Sequence, residues 1–324
     1  MREVDNREDF LAMYGDDGEP TQPFMVTESI TFNSNDNILS LSGVECSTGI
    51  LLFGLYNVLS LEGIVFSEGV ELFDLVSVRS LVGVEFALDV ELNDLINVTS
   101  LDGVCTNYRI VLFNLNSVNS IRGFTMCKGV ELYGLRSLTS LEGVNFAEGV
   151  SVSGLYKVTS LLGVKLARDV ILDGLKSVNS LVGVEFAEGV ELKLLLGITS
   201  LDNVILKDDV QLYNLNNVRM LGNLTPCIGV RLHELVNVIV RPTRVTPEEL
   251  AILRQIPIDN LDMEHWHSDC GTTHCLAGWS QILTGLEPNC ANAYVDGCRV
   301  MPNLQWYFYA STDEVKHYLQ SIQE

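Results

Sequence analysis

The chain has 324 residues, 47% of them hydrophobic, which is enough for a large core and for more than one domain. Its net charge of −22 argues against direct binding to nucleic-acid phosphates. No apolar run reaches the roughly 18–20 residues that a membrane span needs.

Residues 1–9 are strongly charged and lack the apolar stretch of a secretory signal. The expected location is therefore a cytoplasm or an assembled particle, where thiols are reduced by default. Residues 1–27 read as an acidic N-terminal segment, in which residues 10–14 (Phe-Leu-Ala-Met-Tyr) suit a short helical cap. From Leu41 the chain repeats every 20 residues, ten times, without insertion or deletion. The leading Leu or Ile falls at Leu41, Leu61, Leu81, Leu101, Ile121, Leu141, Leu161, Leu181, Leu201 and Leu221, and a Ser precedes it in nine of the ten. A fixed period of this length indicates a solenoid, in which coils that cannot bury their apolar face alone stack into a continuous core.

With the Leu41-type residue as slot 1, the consensus is L-x-G-V-x-F-x-x-G-V-x-L-x-x-L-x-x-V-x-S. Apolar residues alternate at slots 4 and 6, 10 and 12, and the alternation continues at slots 18 and 20, which predicts three short strands per coil. Gly at slot 3 and Gly or Asp at slot 9 mark corners. No room is left for a helix in each coil. The expected fold is mainly β: a single-stack right-handed β-helix of about ten 20-residue coils over residues 28–240, with a small α-rich C-terminal cap domain over 241–324. The first rung is expected near Ile30 and Phe32, and the last near Val238 and Val240, before Arg241-Pro242 breaks the ladder. Slot 20 is expected as an inward column of Ser hydroxyls that bonds along the ladder or to corner backbone.

Slots 11 and 13 flank a core residue on one strand and should point outward. Slot 13 carries Phe53, Phe73, Phe113, Tyr133, Tyr213 and His233, and slot 11 carries Glu71, Glu91 and Glu131 among apolar Leu51, Val111 and Ile171. Outward aromatics interleaved with carboxylates are characteristic of a protein-recognition face. The acidic rows also raise the idea of a DNA mimic. Ladder neighbours about 4.8 Å apart fit poorly to the roughly 7 Å between phosphates on one strand.

The phrase SLVGVEFALDVELNDLINVTSL, residues 80–101, resembles leucine-rich-repeat-like β-solenoids, and in particular the ligand-binding L domain of receptor tyrosine kinases. The resemblance covers about two-thirds of the chain and rests on apolar spacing. It implies a β-helix and a binding role without naming a ligand. The Cys-rich modules that accompany those receptor domains are missing, so the receptor function is not carried over.

Composition changes at Arg241. Thr246-Pro247-Glu248-Glu249 is a helix start, and Ser311-Thr312-Asp313-Glu314 repeats it before residues 315–323. Residues 275–285 read as a short helix and 288–302 as a loop holding Cys290 and Cys298. Three readings apply to the polar stretch 263–298. A zinc site would draw on His267, Cys270, His274 and Cys275, with His265, Cys290 and Cys298 nearby, although H-x2-C-x3-H-C is not a usual ligand spacing. A Cys nucleophile would be Cys270 or Cys275 near a helix N-terminus. A structural role would leave buried thiols or one or two disulfides around Trp266 and Trp279. The stretch LDMEHWHSDCGTTHCLAGW, followed by FYASTDEV, resembles a Cys-Gly-Thr…Ala-Gly-Trp module of uncharacterised bacteriophage and bacterial proteins. That resemblance implies a phage or bacterial origin and a host cytoplasm or virion, but no activity.

The expected function is a non-enzymatic solenoid that binds a protein partner through its ladder face, with self-association into an oligomer as a further option. The other two readings are a metal-binding or Cys-dependent module in 263–298 and the acidic DNA mimic.

Overall fold

A computed structural model describes residues 1–221, 230–235, 237, 245–263, 274–290 and 292–323, without the side chains of residues 305, 306, 309 and 314. The chain forms a parallel β-solenoid of about 11 turns, and its helices lie mainly toward the C-terminus. It divides into two compact units, Met1–Ser177 and Val178–Glu324.

In the first unit, β1 (Arg2–Val4) leads to α1 (Arg7–Leu11), β2 (Phe24–Val26), β3 (Ile30–Thr31), β4 (Val44–Cys46) and β5 (Leu51–Phe53). One strand per coil follows on the main ladder: β6 (Glu71–Leu72), β7 (Val90–Leu92), β8 (Ile110–Leu112), β9 (Glu131–Leu132), β11 (Ser151–Val152) and β13 (Ile171–Leu172). Between these last three lie β10 (Asn145–Phe146) and β12 (Lys165–Leu166), which pair with each other on the slot 5–6 side. The main ladder keeps like residues in register. Leu52 pairs with Leu72, Leu72 with Leu92, and Leu92 with Leu112, so one apolar side chain stacks on its equivalent.

The second unit repeats this ladder in β14 (Glu191–Leu192), β15 (Gln211–Leu212) and β16 (Arg231–Leu232), where Leu192, Leu212 and Leu232 are in register. It continues into α2 (Pro247–Leu253), α3 (Leu276–Thr284), α4 (Ala293–Val300) and α5 (Thr312–Gln323), with short 3-10 turns at Ile258–Asn260 and Pro302–Tyr309.

Seven apolar columns, at slots 1, 4, 6, 10, 12, 15 and 18, are buried in coil after coil. Each fully buried Leu or Val contributes roughly 1.5–3 kcal/mol relative to exposure. The core is therefore repetitive, and no coil is stable without its neighbours.

Several details depart from the expected coil. Regular pairing is concentrated at slots 10–13. The slot 5 and slot 20 segments pair mostly through isolated bridges such as Glu45 with Val65 and Ser100 with Ser120. Apart from Ser40, the Ser residues of slot 20 are not in the core. Ser40 alone is buried, whereas Ser80, Ser140, Ser160 and Ser180 are exposed. Each of these hydroxyls accepts from the backbone N–H two residues on, as Ser140 does from Glu142 and Ser180 from Val182, both at 3.1 Å. The column closes a corner, as a Ser turn does, and is not part of the core.

The N-terminal segment does more than cap. The main ladder begins at β3, at the expected rung near Ile30, while β1 pairs with β2 and β2 with β4 in a separate three-stranded sheet that reaches back to Arg2. Phe10 and Met13 are buried, and the Phe10 ring packs on Phe24, Phe32 and Tyr14, which covers the first turn as expected. Here the period is longer: Ile30 pairs with Leu52, a step of 22 residues. The two extra residues form a turn in which Asp36 accepts from the Arg7 guanidinium and from Asn33 N–H.

The C-terminal helices share a core of their own, drawn from residues 245–322. The capping box at Thr246 and Glu249 is formed, and Gly285 ends α3 in the left-handed region. Residues 288–302 are not a loop throughout, because α4 occupies Ala293–Val300 and buries Cys298. α4 contains Gly297, where a Cβ would lie 2.8 Å from Ala277 Cβ and 3.0 Å from the Phe308 ring. The missing side chain lets α3 and α4 approach closely. The expected last rung at Val238 and Val240 and the break at Arg241-Pro242 lie outside the described residues.

Candidate functional site: an outward aromatic and carboxylate ladder

The main ladder places slot 12 inward and slots 11 and 13 outward, because side chains alternate along each strand. Leu52, Leu72, Leu92 and Leu112 are fully buried, while Phe53, Phe73, Phe113, Tyr133, Tyr213 and His233 are all half-buried. The aromatic rings stack in pairs. Phe53 lies 4.5 Å from Phe73 and Phe113 lies 4.9 Å from Tyr133, each pair nearly parallel. In the second unit, Tyr213 lies 4.2 Å from His233. The one-coil rise brings successive slot-13 rings to stacking distance, so two aromatics in sequence become a stacked pair.

Slot 11 runs alongside. Glu71 and Glu91 are direct register partners and half-buried. Burial raises the Glu91 carboxyl above the usual carboxylate range, and the charge of Glu71 adds to the rise. Glu131 is held differently. It accepts from Arg109 Nη2 at 2.6 Å and from the Tyr133 hydroxyl, and Arg109 also donates to Asp89 at 2.7 Å. The Tyr133 hydroxyl is pushed up to about 12, mainly by burial and then by that bond. Val111, between Glu91 and Glu131 in register, is buried against expectation.

Arg109 and Asp89, at slot 9, were not anticipated as part of this face. Their 20-residue spacing, and the 22 residues from Arg109 to Glu131, were the available signal. A second unforeseen row lies at slot 14, where Asn114 Nδ2 donates to Asp94 at 2.7 Å and Gly54 N–H donates to Asp74 at 2.9 Å. Within the second unit, Tyr213 donates to Gln211 at 2.7 Å. Lys193 pairs with Glu191 at 3.0 Å and lies 5.6 Å from the Tyr213 ring centre.

Between the stacked pairs Phe53–Phe73 and Phe113–Tyr133, slot 13 is Asn93. Its Nδ2 is buried and has no hydrogen-bond acceptor among the described residues. In the second unit a shallow concavity of about 450 Å³ lies at slots 5–8 of two successive coils, where Phe186 and Ile205 meet Glu188, Lys207 and Asp208.

Of the residues considered for metal or nucleophilic chemistry, His265, His267 and Cys270 lie outside the described residues, as does Trp266. His274 is buried, its ring meeting Trp279 edge to face at 4.8 Å. Cys275 is the N-cap of α3, and its Sγ accepts from Gly278 N–H at 3.3 Å. A helix N-terminus favours a thiolate, but burial outweighs it and pushes the Cys275 thiol up to about 12. Cys298 is likewise buried and pushed up to about 12, whereas Cys290 is exposed. Among the described residues no disulfide is formed, and no group of three or more His, Cys, Asp or Glu is placed to hold a metal ion. No helix among them is long and apolar enough to cross a membrane.

Fold and surface together define a parallel β-solenoid whose main ladder carries paired aromatics beside carboxylates. No protein-family model matches the chain, and no curated protein or solved structure matches it either.

Proposed function

We propose that the protein is a non-enzymatic interaction solenoid that binds a protein partner through slots 11 and 13 of its main ladder. The observation that carries this reading is that the slot-13 rings are stacked in pairs yet remain half-exposed beside partly buried carboxylates. Half-exposed aromatics among desolvated polar groups are the composition of interface cores. The uninterrupted 20-residue period supports it as well, since no coil from Leu41 on carries an inserted loop on which a catalytic site could be built.

The resemblance of the coils to L-domain-like solenoids fits a binding role. The resemblance of residues 261–279 to a phage and bacterial module is the ground for placing the protein in a phage or bacterial setting, decorating a virion or engaging a host protein. Direct nucleic-acid binding remains disfavoured by the charge of −22. The metal-binding or Cys-dependent module in residues 263–298 is the second reading, and its His265, His267 and Cys270 lie outside the described residues.

The test is a variant with Phe53, Phe73 and Phe113 all replaced by Ser. It is expected to keep the circular-dichroism spectrum of the solenoid and to lose partner capture by at least about tenfold, since central aromatics carry much of an interface's energy. Unchanged capture would remove the reading.

A further inference from the structure

We infer that the gap at Asn93, between Phe73 and Phe113, receives the guanidinium of an arginine from the protein partner. The inference rests on the ladder face being the recognition face and names the chemistry recognised there.

The gap has a defined width. Phe73 and Phe113 lie two coils apart, roughly 9.6 Å at the usual strand spacing. A flat group in van der Waals contact with a ring on each side needs about 7–8 Å. Each of these rings is already stacked on its other face, Phe73 by Phe53 and Phe113 by Tyr133. A planar group placed above Asn93 would turn two stacked pairs into one continuous stack. Asn93 is shorter than a phenyl ring and its Nδ2 is buried, so it forms the floor above which a planar group would lie.

Charge selects the kind of planar group. Glu71 and Glu91 stand side by side in register next to the gap, and Asp74 and Asp94 follow at slot 14 of the same two coils. Arg109, a cation within reach of this face, pairs with Asp89 and Glu131 and also acts on the Glu91 charge without bonding to it. Among the described residues, neither Glu71 nor Glu91 has an ion-pair partner. Two neighbouring carboxylates facing a slot of aromatic faces suit a flat cation. Guanidinium combines planar stacking with paired donors, whereas an ammonium is a compact, strongly hydrated charge. The second unit shows the same chemistry satisfied from within: where slot 13 is Lys193, its ammonium pairs with Glu191 and approaches the Tyr213 ring.

The test uses the full chain with labelled octa-arginine and octa-lysine peptides, compared by fluorescence anisotropy at physiological ionic strength. Both carry the same charge, so general attraction to an acidic protein cancels in the ratio. The wild type is expected to prefer octa-arginine by about tenfold. Asn93→Phe fills the gap without changing charge and is expected to erase the preference, leaving indistinguishable affinities for the two peptides. Asn93→Leu serves the same purpose should the larger ring disturb the coil. No preference in the wild type, or a preference that survives both substitutions, overturns the inference. The wider reading is judged separately by partner capture with the triple Phe→Ser variant. Loss of capture there, with no arginine preference here, would reject the arginine slot and leave the face.

Discussion

Leu194 has a φ of 60° at slot 14, where eight of the ten coils place Gly, Asp or Asn. All ten slot-14 residues are left-handed, so each coil has a third such corner beyond those read at slots 3 and 9. This corner was legible, since Gly, Asp and Asn are the residues that tolerate positive φ. The signal is weaker than at slots 3 and 9 because no single residue type dominates the slot. A Leu in this conformation costs about 1–2 kcal/mol, and Gly avoids that cost for part of it in lost entropy. Leu194→Gly is therefore expected to raise the denaturation midpoint, by up to about 1 kcal/mol in stability. The reverse change is severe at Gly154, where φ is 89° and a Cβ would fall 2.7 Å from the Leu135 nitrogen of the coil before. Gly154→Ala is expected to cost about 2–3 kcal/mol, read from the same denaturation curves. A neutral result would mean that the coils are not as closely spaced there as described.

Elements were readable in proportion to how strictly their residues repeat. The buried columns emerged directly from period-two alternation, because slots that face the core accept only apolar side chains. The alternation does not extend past the corner to the Ser column, where the chain turns and the hydroxyl caps a backbone N–H instead. α4 lies in a stretch expected as a loop, and the reason for its Gly297 is tertiary: the close approach of α3. Strand β1 was missed because its partner β2 lies outside the ten regular coils. At that end, the Arg7 guanidinium holds the Asp36 carboxyl below the usual carboxylate range, mainly through their hydrogen bond. A depressed carboxylate contributes stability above its unfolded pKa of about 3.9, and the contribution is lost as pH falls through the folded value. The melting-temperature gap between wild type and Asp36→Asn is thus expected to be present at pH 7 and to shrink toward pH 2. A gap independent of pH would place the effect elsewhere. At the N-terminus of α3, the Cys275 thiol is raised to about 12 and should resist Ellman's reagent in the folded protein at pH 8, as should Cys298, while exposed Cys290 reacts. Prompt reaction of Cys275 would return it to the list of nucleophiles.

At the scale of the whole molecule, the repeat fixes what kind of site is available. A ladder without inserted loops offers rows of side chains at one-coil spacing, and chemistry on such a surface comes from which residues adjoin along the row. The candidate face could be listed from the sequence because slots 11 and 13 follow from strand alternation. Its organisation could not: the ring pairs, the network of Asp89, Arg109, Glu131 and Tyr133, and the gap at Asn93 depend on side-chain contacts between coils. The most direct measurement is quantitative affinity capture from cells that produce the protein, with wild type beside the Phe53→Ser, Phe73→Ser, Phe113→Ser variant at matched folded concentration. The proposed function predicts one saturable protein partner retained by the wild type and lost by the variant. The same partner held equally by both would contradict it.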